Sequence, residues 1–184
     1  MPYIDELYLM RDETYSMGLE NLISHINTFN DTSKMSMIEI GSYAGESTEM
    51  FSKHFKNVIA IDPFINDYDP NDVTCQYMEL TKVYDTFKNR IKKYKNIKHI
   101  RKTSDDAILE LRGNSFDFVY IDGLHTYGQV SRDIWNYLPL INKGGFIGGH
   151  DYHPVYQPVK NAVIEVFGQP DNTFEDTSWI KRIK

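Results

Sequence analysis

The stretch from Met37 to Thr48, Met-Ile-Glu-Ile-Gly-Ser-Tyr-Ala-Gly-Glu-Ser-Thr, constrains this chain more than any other. An apolar run stops at Gly41, turns, passes Gly45 and enters a segment with helical spacing. That order belongs to a buried strand feeding a loop that cradles a ligand at a helix N-terminus. Glycine serves such a turn twice. It accepts backbone angles closed to other residues, and it leaves room for a ligand against the main chain.

The remaining segments read as a scaffold around that turn. Leu19, Leu22, Ile23, Ile26 and Phe29 fall at helical steps, which predicts an amphipathic helix over Gly18 to Phe29, closed by Asn30-Asp31. Ser36 to Ile40 is a strand and Glu46 to Phe55 its following helix. Val58 to Ile61 is a second strand, closed by Asp62-Pro63. Residues 63 to 80 are irregular, a length that suits a functional lid as well as a surface excursion. Val83, Tyr84, Phe87, Ile91 and Tyr94 mark a helix whose other faces carry Lys88, Arg90, Lys92, Lys93 and Lys95, read as a solvated face.

Ile97 to Ile100 is a third strand and Ser104 to Leu111 a short helix. Phe116 to Ile121 is a fourth strand that ends at Asp122. Tyr127 to Ile141 reads as one helix, bent in its last turn by Pro139 and stopped by Gly144-Gly145. Phe146 to Gly149 is a fifth strand, ending at His150-Asp151. A helix follows with Pro158 in its first turn and Gly168 after its end. Ser178 to Ile183 alternates as a last strand. Strands and helices alternating at this spacing imply βαβ units and a mainly parallel sheet.

The chain of 184 residues reads as a single domain, with 1–35 a helical cap or substrate segment and 36–184 the cofactor-binding core. A net charge of −6 argues against nucleic acid as partner. The single Cys75 allows no internal disulfide, no apolar run suits a membrane span, and the N-terminus has no basic, signal-like start. A cytoplasmic enzyme and an excised domain of a longer chain both fit, and a homodimer is compatible with either.

Open α/β sheets bind ligands outside the carboxyl ends of their strands. Here every strand end carries a ligand-binding group: the glycine turn, Asp62, Thr103-Ser104-Asp105, Asp122 with His125 beyond it, and His150-Asp151. Asp62 stands 21 residues after Gly41, which suits a carboxylate accepting from ribose hydroxyls. The turn is not G-x-G-x-x-G, so a nicotinamide cofactor is disfavoured and a different nucleoside-bearing cofactor is expected.

Ile38-Glu39-Ile40-Gly41-x-x-x-Gly45 resembles the first motif of class I S-adenosylmethionine-dependent methyltransferases. The run Phe116-Asp117-x-Val119-x-Ile121-Asp122-Gly123-x-His125-x-Tyr127, then Asp133, Pro139-Leu140-x-x-x-Gly144-Gly145 and Gly149-His150-Asp151-Tyr152, resembles small O-methyltransferases that modify sugars and macrolides, and more distantly catechol O-methyltransferase. The resemblance covers about residues 36 to 183. It implies a Rossmann-like, doubly wound, mainly parallel sheet of about seven strands with helices on both faces and the last strand antiparallel.

It also implies site roles. Glu39 and the turn Gly41, Ser42, Tyr43 and Gly45 would hold the methionine end of S-adenosylmethionine, Asp62 the ribose, and Ser104 and Asp105 the adenine. Asp122 falls beside the methyl-transfer centre. Asp122, His150 and Asp151 fall where metal-dependent relatives bind magnesium. His125 falls where the catechol enzyme has its lysine base. His150 stands where many relatives carry aspartate, and imidazole suits manganese, iron or zinc better than magnesium.

The expected chemistry is methyl transfer to a hydroxyl of a small polyhydroxyl acceptor, a sugar or glycan, with a divalent metal (magnesium or manganese) and His125 as base. The plainer readings are a helix-start histidine at 125, a capping carboxylate at 122, and an ion pair or hydrogen bond for Asp133 within its helix. His153, Tyr127 and Tyr152 face substrate or pack on the surface, and His25, His54 and His99 are read as non-catalytic. A metal-independent transfer, or a non-catalytic cofactor-binding domain of a larger glycan-modifying protein, are the alternatives. Specificity is expected from residues 1–35, the 63–80 loop and the segment after Asp151.

Overall fold

The structure, a computed structural model, describes residues 8–69 and 79–184. Helix α1 (Glu13–Asn27) starts earlier than Gly18 because the Asp12 side chain accepts from the Tyr15 backbone N–H and caps it. Then come β1 (Ser36–Ile40), α2 (Glu46–His54), β2 (Asn57–Ile61), α3 (Leu80–Ile91), β3 (Ile97–Ile100), α4 (Ser104–Leu111) and β4 (Phe116–Ile121). The chain continues through α5 (Tyr127–Tyr137), β5 (Ile141–Gly149), α6 (Gln157–Phe167), β6 (Asn172–Thr173) and β7 (Trp179–Arg182). Residues 70–78 of the irregular stretch, with Cys75, lie outside the described residues, as do residues 1–7.

The strands form one seven-stranded sheet in the order β3-β2-β1-β4-β5-β7-β6. The first five run parallel, and β7 returns antiparallel to β5 and to β6. Alternate residues of each strand face opposite layers. On one face Ile38, Ile40, Val119, Ile121 and Ile147 pack with Ile108 of α4, Ile134 of α5 and Val163 of α6. On the other, Met37, Phe118, Tyr120 and Phe146 pack with Leu22 and Ile26 of α1 and Phe51 of α2. The doubly wound α/β arrangement is therefore as expected.

Register places the site. Ile40 pairs with Ile61 on one side and Ile121 on the other, and Ile121 pairs with Gly149. The residues that follow, Asp62, Gly41, Asp122 and His150, therefore stand in a row along the carboxyl edge. Each donates its backbone N–H to the last residue of a neighbouring strand, at 2.8 to 3.3 Å. The row spans the point where strand order reverses, beside β1 and β4.

One element differs from the periodicity. The helix expected over Tyr127 to Ile141 ends at Tyr137, a 3-10 turn follows over Leu138–Leu140, and Ile141 already opens β5. Pro139 lacks an N–H and cannot carry the helical ladder on. Gly144-Gly145 do not stop a helix. They lie inside β5, where its pairing with β4 shifts between Phe116 and Phe118. A Cβ on Gly145 would lie 2.6 Å from the Asp117 carbonyl oxygen, so the strand tolerates only glycine there. Strand β6, at two residues, is too short to leave a pattern.

Candidate active site

A cavity of about 740 Å³ opens over the carboxyl edge. Its wall begins with the turn after β1. Gly41 has φ +87°, and Gly45, which caps α2, has φ +85°. Both angles lie in the left-handed region that favours glycine. Asp62 braces the turn from the side: one carboxylate oxygen accepts from the Tyr43 N–H and the other from the Phe64 N–H, both at 2.8 Å. Burial raises the Asp62 pKa, against the backbone N–H groups of Tyr43 and Phe64 that lower it.

Gly41, Ser42, Tyr43, Gly45, Asp62 and Ser104 all line the cavity. Glu39 and Asp105 are not among the described lining residues. Glu39 lies fully buried, with Thr48 donating to its Oε2 and with no partner at Oε1 among the described residues. Burial pushes its pKa up to about 7. Asp105 is exposed on α4 and faces Arg132 at 3.5 Å and Asn136 at 3.3 Å. The Ser104 hydroxyl donates to Asp133 at 2.6 Å, and the Gln129 amide donates to the same carboxylate oxygen at 2.9 Å. Asp133 is thus hydrogen-bonded as expected, but it lines the cavity too, and burial raises its pKa to about 6.

The floor holds an ionic cluster. His150 Nδ1 lies 3.1 Å from Asp151 Oδ1 and 3.7 Å from Asp122 Oδ1. His125 Nε2 lies 2.8 Å from Asp151 Oδ2. Its other ring nitrogen, Nδ1, faces Asp69 Oδ2 at 3.1 Å, and its backbone N–H donates to that same oxygen at 3.0 Å. Burial alone would depress the His125 pKa, but Asp151 and Asp69 outweigh it and raise it to about 11. Burial likewise works against the Asp151 carboxylate, yet His125 and His150 hold its pKa well below the ordinary range. On Asp122 burial prevails over His150 and Arg11, and its pKa rises.

Asp122, His125 and Asp151 offer ligand atoms within 4.8 Å of one another. His150, the nitrogen expected beside these carboxylates, is not in that group; its Nδ1 lies near oxygens of both Asp122 and Asp151. His150 Nε2 is buried without a partner among the described residues.

Two residues of the cluster carried no sequence signal. Arg11, from the weakly patterned N-terminal segment, places its guanidinium 3.5 Å from Asp122 and 3.4 Å from Asp176. Asp69 lies in the irregular segment after β2, with nothing to set it apart from Asp67. His153 lines the cavity, whereas Tyr127 donates to Glu165 and Tyr152 to Gln169, and neither is among the described lining residues. His25, His54 and His99 also lie away from it, His99 in a 2.9 Å hydrogen bond with Tyr84. No helix of the described residues is long and apolar enough to cross a membrane.

The buried Ser42 hydroxyl lines the cavity with no partner among the described residues, which fits a polar ligand lying in the turn. Comparison with known proteins agrees. Residues 38–152 match the family described as "Methyltransferase domain". A protein of Acanthamoeba polyphaga mimivirus is 33% identical over 157 residues, which cover 79% of this chain and 65% of that protein. The chain thus spans a little under two thirds of this relative's length. The O-methyltransferase NovP is 15% identical with a TM-score of 0.69, over 90% of this chain and 79% of that one. A Staphylococcus aureus protein described as a caffeoyl-CoA O-methyltransferase is 17% identical with a TM-score of 0.65, over 96% and 85%. These two likenesses concern the fold, while the family match takes in more than half of the chain, from β1 through the end of β5. The chain belongs to the methyltransferase-domain family.

Proposed function

We propose that this domain transfers the methyl group of S-adenosylmethionine to a hydroxyl of a small polyhydroxyl acceptor, a sugar or glycan. The observation that carries the reading is the Asp122–His125–His150–Asp151 cluster on the floor of the same cavity as the glycine turn. Oxygen is favoured as the acceptor atom because a hydroxyl needs what this cluster supplies, a proton acceptor and fixed charge. The name O-methyltransferase carried by the structural neighbour NovP points the same way.

S-adenosylmethionine brings an activated methyl group, so the chain's residues act chiefly by placement. The turn Gly41–Gly45 and Asp62 hold the methionine and ribose parts, and Ser104 and Asp133 line the same cavity. A divalent cation would be held by Asp122 and Asp151 with an imidazole nitrogen, a donor set suited to manganese, iron or zinc. Such a cation lowers the pKa of an acceptor hydroxyl and orients it. His125 is the candidate base: Asp69 and Asp151 keep its ring protonated in the free site, so it takes the acceptor's proton only after Asp151 has turned from Nε2 and accepted the proton held there. Tyr15 and Tyr156, each partly exposed at the cavity, offer ring faces to a sugar.

One observation favours a metal-independent version of the same transfer. Arg11 already stands against Asp122, and both imidazoles stand against Asp151, so the carboxylates have cationic partners from the chain.

The test is transfer of labelled methyl from S-adenosylmethionine to a panel of free sugars, methyl and aryl glycosides and glycans. It is run with chelator and then with magnesium or manganese restored. Transfer to a sugar hydroxyl that stops with chelator and returns with metal is the expected result. Transfer that ignores chelator selects the metal-independent version, and no transfer to any hydroxyl overturns the proposal.

A further inference from the structure

We propose that Asp133 reads the base of the cofactor: its Oδ2 accepts from the exocyclic amine and so selects an adenine nucleoside. The inference rests on the reading of S-adenosylmethionine as the bound cofactor.

Asp133, on α5, is 1% exposed, yet it lines the cavity. Its two carboxylate oxygens stand in different surroundings. Oδ1 accepts twice, from the Ser104 hydroxyl at 2.6 Å and from the Gln129 amide at 2.9 Å. Oδ2 takes no hydrogen bond among the described residues. An ionised carboxylate only accepts, and a buried acceptor is costly to leave unpaired. The partner that Oδ2 calls for is therefore a donor on a bound ligand.

Its place in the cavity suits the base. In sheets of this kind the carboxylate about 20 residues beyond the glycine turn takes the ribose, and Asp62 is that carboxylate. β3 lies beyond β2 in the sheet, and Ser104 opens the helix that follows β3. Tyr68 connects the two places. Burial raises its hydroxyl pKa, and the charges of Asp133 and Asp62 both add to the rise. Asp62, Tyr68 and Asp133 thus surround one part of the cavity, where a nucleoside with its ribose against Asp62 sets its base. Asp105 is turned away instead, against Arg132 and Asn136, and is not among the described lining residues. Adenine carries an amine donor where guanine carries an oxygen, so an acceptor at this point distinguishes them.

The bonds to Oδ1 make Asp133→Asn an inversion of that preference. The Gln129 amide cannot turn over, because its Oε1 accepts from Arg132. Its NH₂ therefore requires an oxygen at the Oδ1 position. The asparagine keeps its oxygen there and turns its NH₂ to where Oδ2 stood. An acceptor facing the cavity becomes a donor, while the bonds from Ser104 and Gln129 remain.

The test is calorimetric titration at about pH 8, where Asp133 is ionised. It compares S-adenosylhomocysteine with S-inosylhomocysteine, in which a carbonyl oxygen replaces the amine. The wild type should bind the adenine compound about 10- to 100-fold more tightly. Asp133→Asn should abolish or reverse that preference. A variant that keeps it overturns the proposal, as does a wild type that binds both compounds alike. A crystal structure of the wild type with S-adenosylhomocysteine should place the amine nitrogen about 3 Å from Oδ2. An amine bonded elsewhere overturns the proposal even where the variant fails to fold. None of these measurements uses an acceptor, so a negative sugar screen leaves them standing. A wild type that binds no S-adenosylhomocysteine removes the cofactor reading, and the role of Asp133 with it.

Discussion

Gly41 meets the chain after β4 so closely that a Cβ at position 41 would lie 1.8 Å from the carbonyl oxygen of Asp122. The contact follows from register, since Ile40 and Ile121 are direct partners and the residue after each turns out at the same level. It brings the glycine turn and the ionic cluster into contact through backbone, where no side chain can give way.

Gly41→Ala is therefore expected to disrupt the turn. The positive φ alone costs about 1–2 kcal/mol for a residue with a side chain, and the collision with Asp122 adds to it. Calorimetric titration should show affinity for S-adenosylhomocysteine falling about tenfold or more. Wild-type affinity would mean that the cofactor does not use this turn.

Asp62→Ala removes the acceptor of two backbone N–H groups as well as the proposed ribose ligand. Affinity for S-adenosylhomocysteine should drop by about 1–3 kcal/mol, the cost of leaving buried donors unpaired. Asp62→Asn should fall between wild type and alanine, because the amide still accepts one of the two bonds. Equal affinities for all three proteins would contradict the bracing role.

Arg11→Met leaves Asp122 and Asp176 without their shared cation. Asp176 is 1% exposed and the Arg11 side chain 9%, so water offers little compensation. Urea unfolding should show a loss of about 3–5 kcal/mol, the usual cost of breaking a buried pair from one side. Adding Asp176→Asn should recover part of that loss, and a double variant as unstable as the sum of the singles would rule out the coupling.

Glu39 makes stability pH-dependent in a direction opposite to most carboxylates. Its folded pKa is raised by burial from an ordinary 4.5 to about 7. Between those values the folded protein binds the proton and the unfolded chain does not, so stability falls as pH rises. The contribution is complete below 4.5 and levels off above 7, with a slope of up to about 1.4 kcal/mol per pH unit between. Urea midpoints of the cofactor-free protein from pH 5 to 8 should decline more steeply than those of Glu39→Gln. Parallel curves would place the Glu39 proton elsewhere.

Much of the fold is legible in the residue pattern alone. Met37 and Ile38 face opposite layers, as period-two alternation requires, and the Leu19–Leu22–Ile26 stripe buries as its spacing requires. The stretch after Tyr137 was misleading because Leu138, Leu140 and Ile141 continue an apolar pattern that a 3-10 turn and a strand serve equally well. Gly144-Gly145 read as a helix stop for the same reason: glycine marks a required backbone shape without naming the element around it.

The site divides in the same way. Gly41, Asp62, Asp122 and His150 were found because each directly follows a strand, and chemistry at strand ends is a local signal. Glu39 shows the reverse, since its place beside the glycine turn suggested ligand contact and its side chain is buried away from the described cavity lining.

Local patterning thus specifies the succession of strands and helices, the glycine turn and the polar group at each strand end, because backbone propensity and periodicity act over a few residues. Which strand ends become neighbours is settled by packing. The order β2-β1-β4-β5 sets Asp62, Gly41, Asp122 and His150 in one row, carries Asp69 across to His125 and brings Arg11 to Asp122. Asp69 and His125 are 56 residues apart in the chain. Contacts at that range depend on sheet order and register, which no window of neighbouring residues encodes.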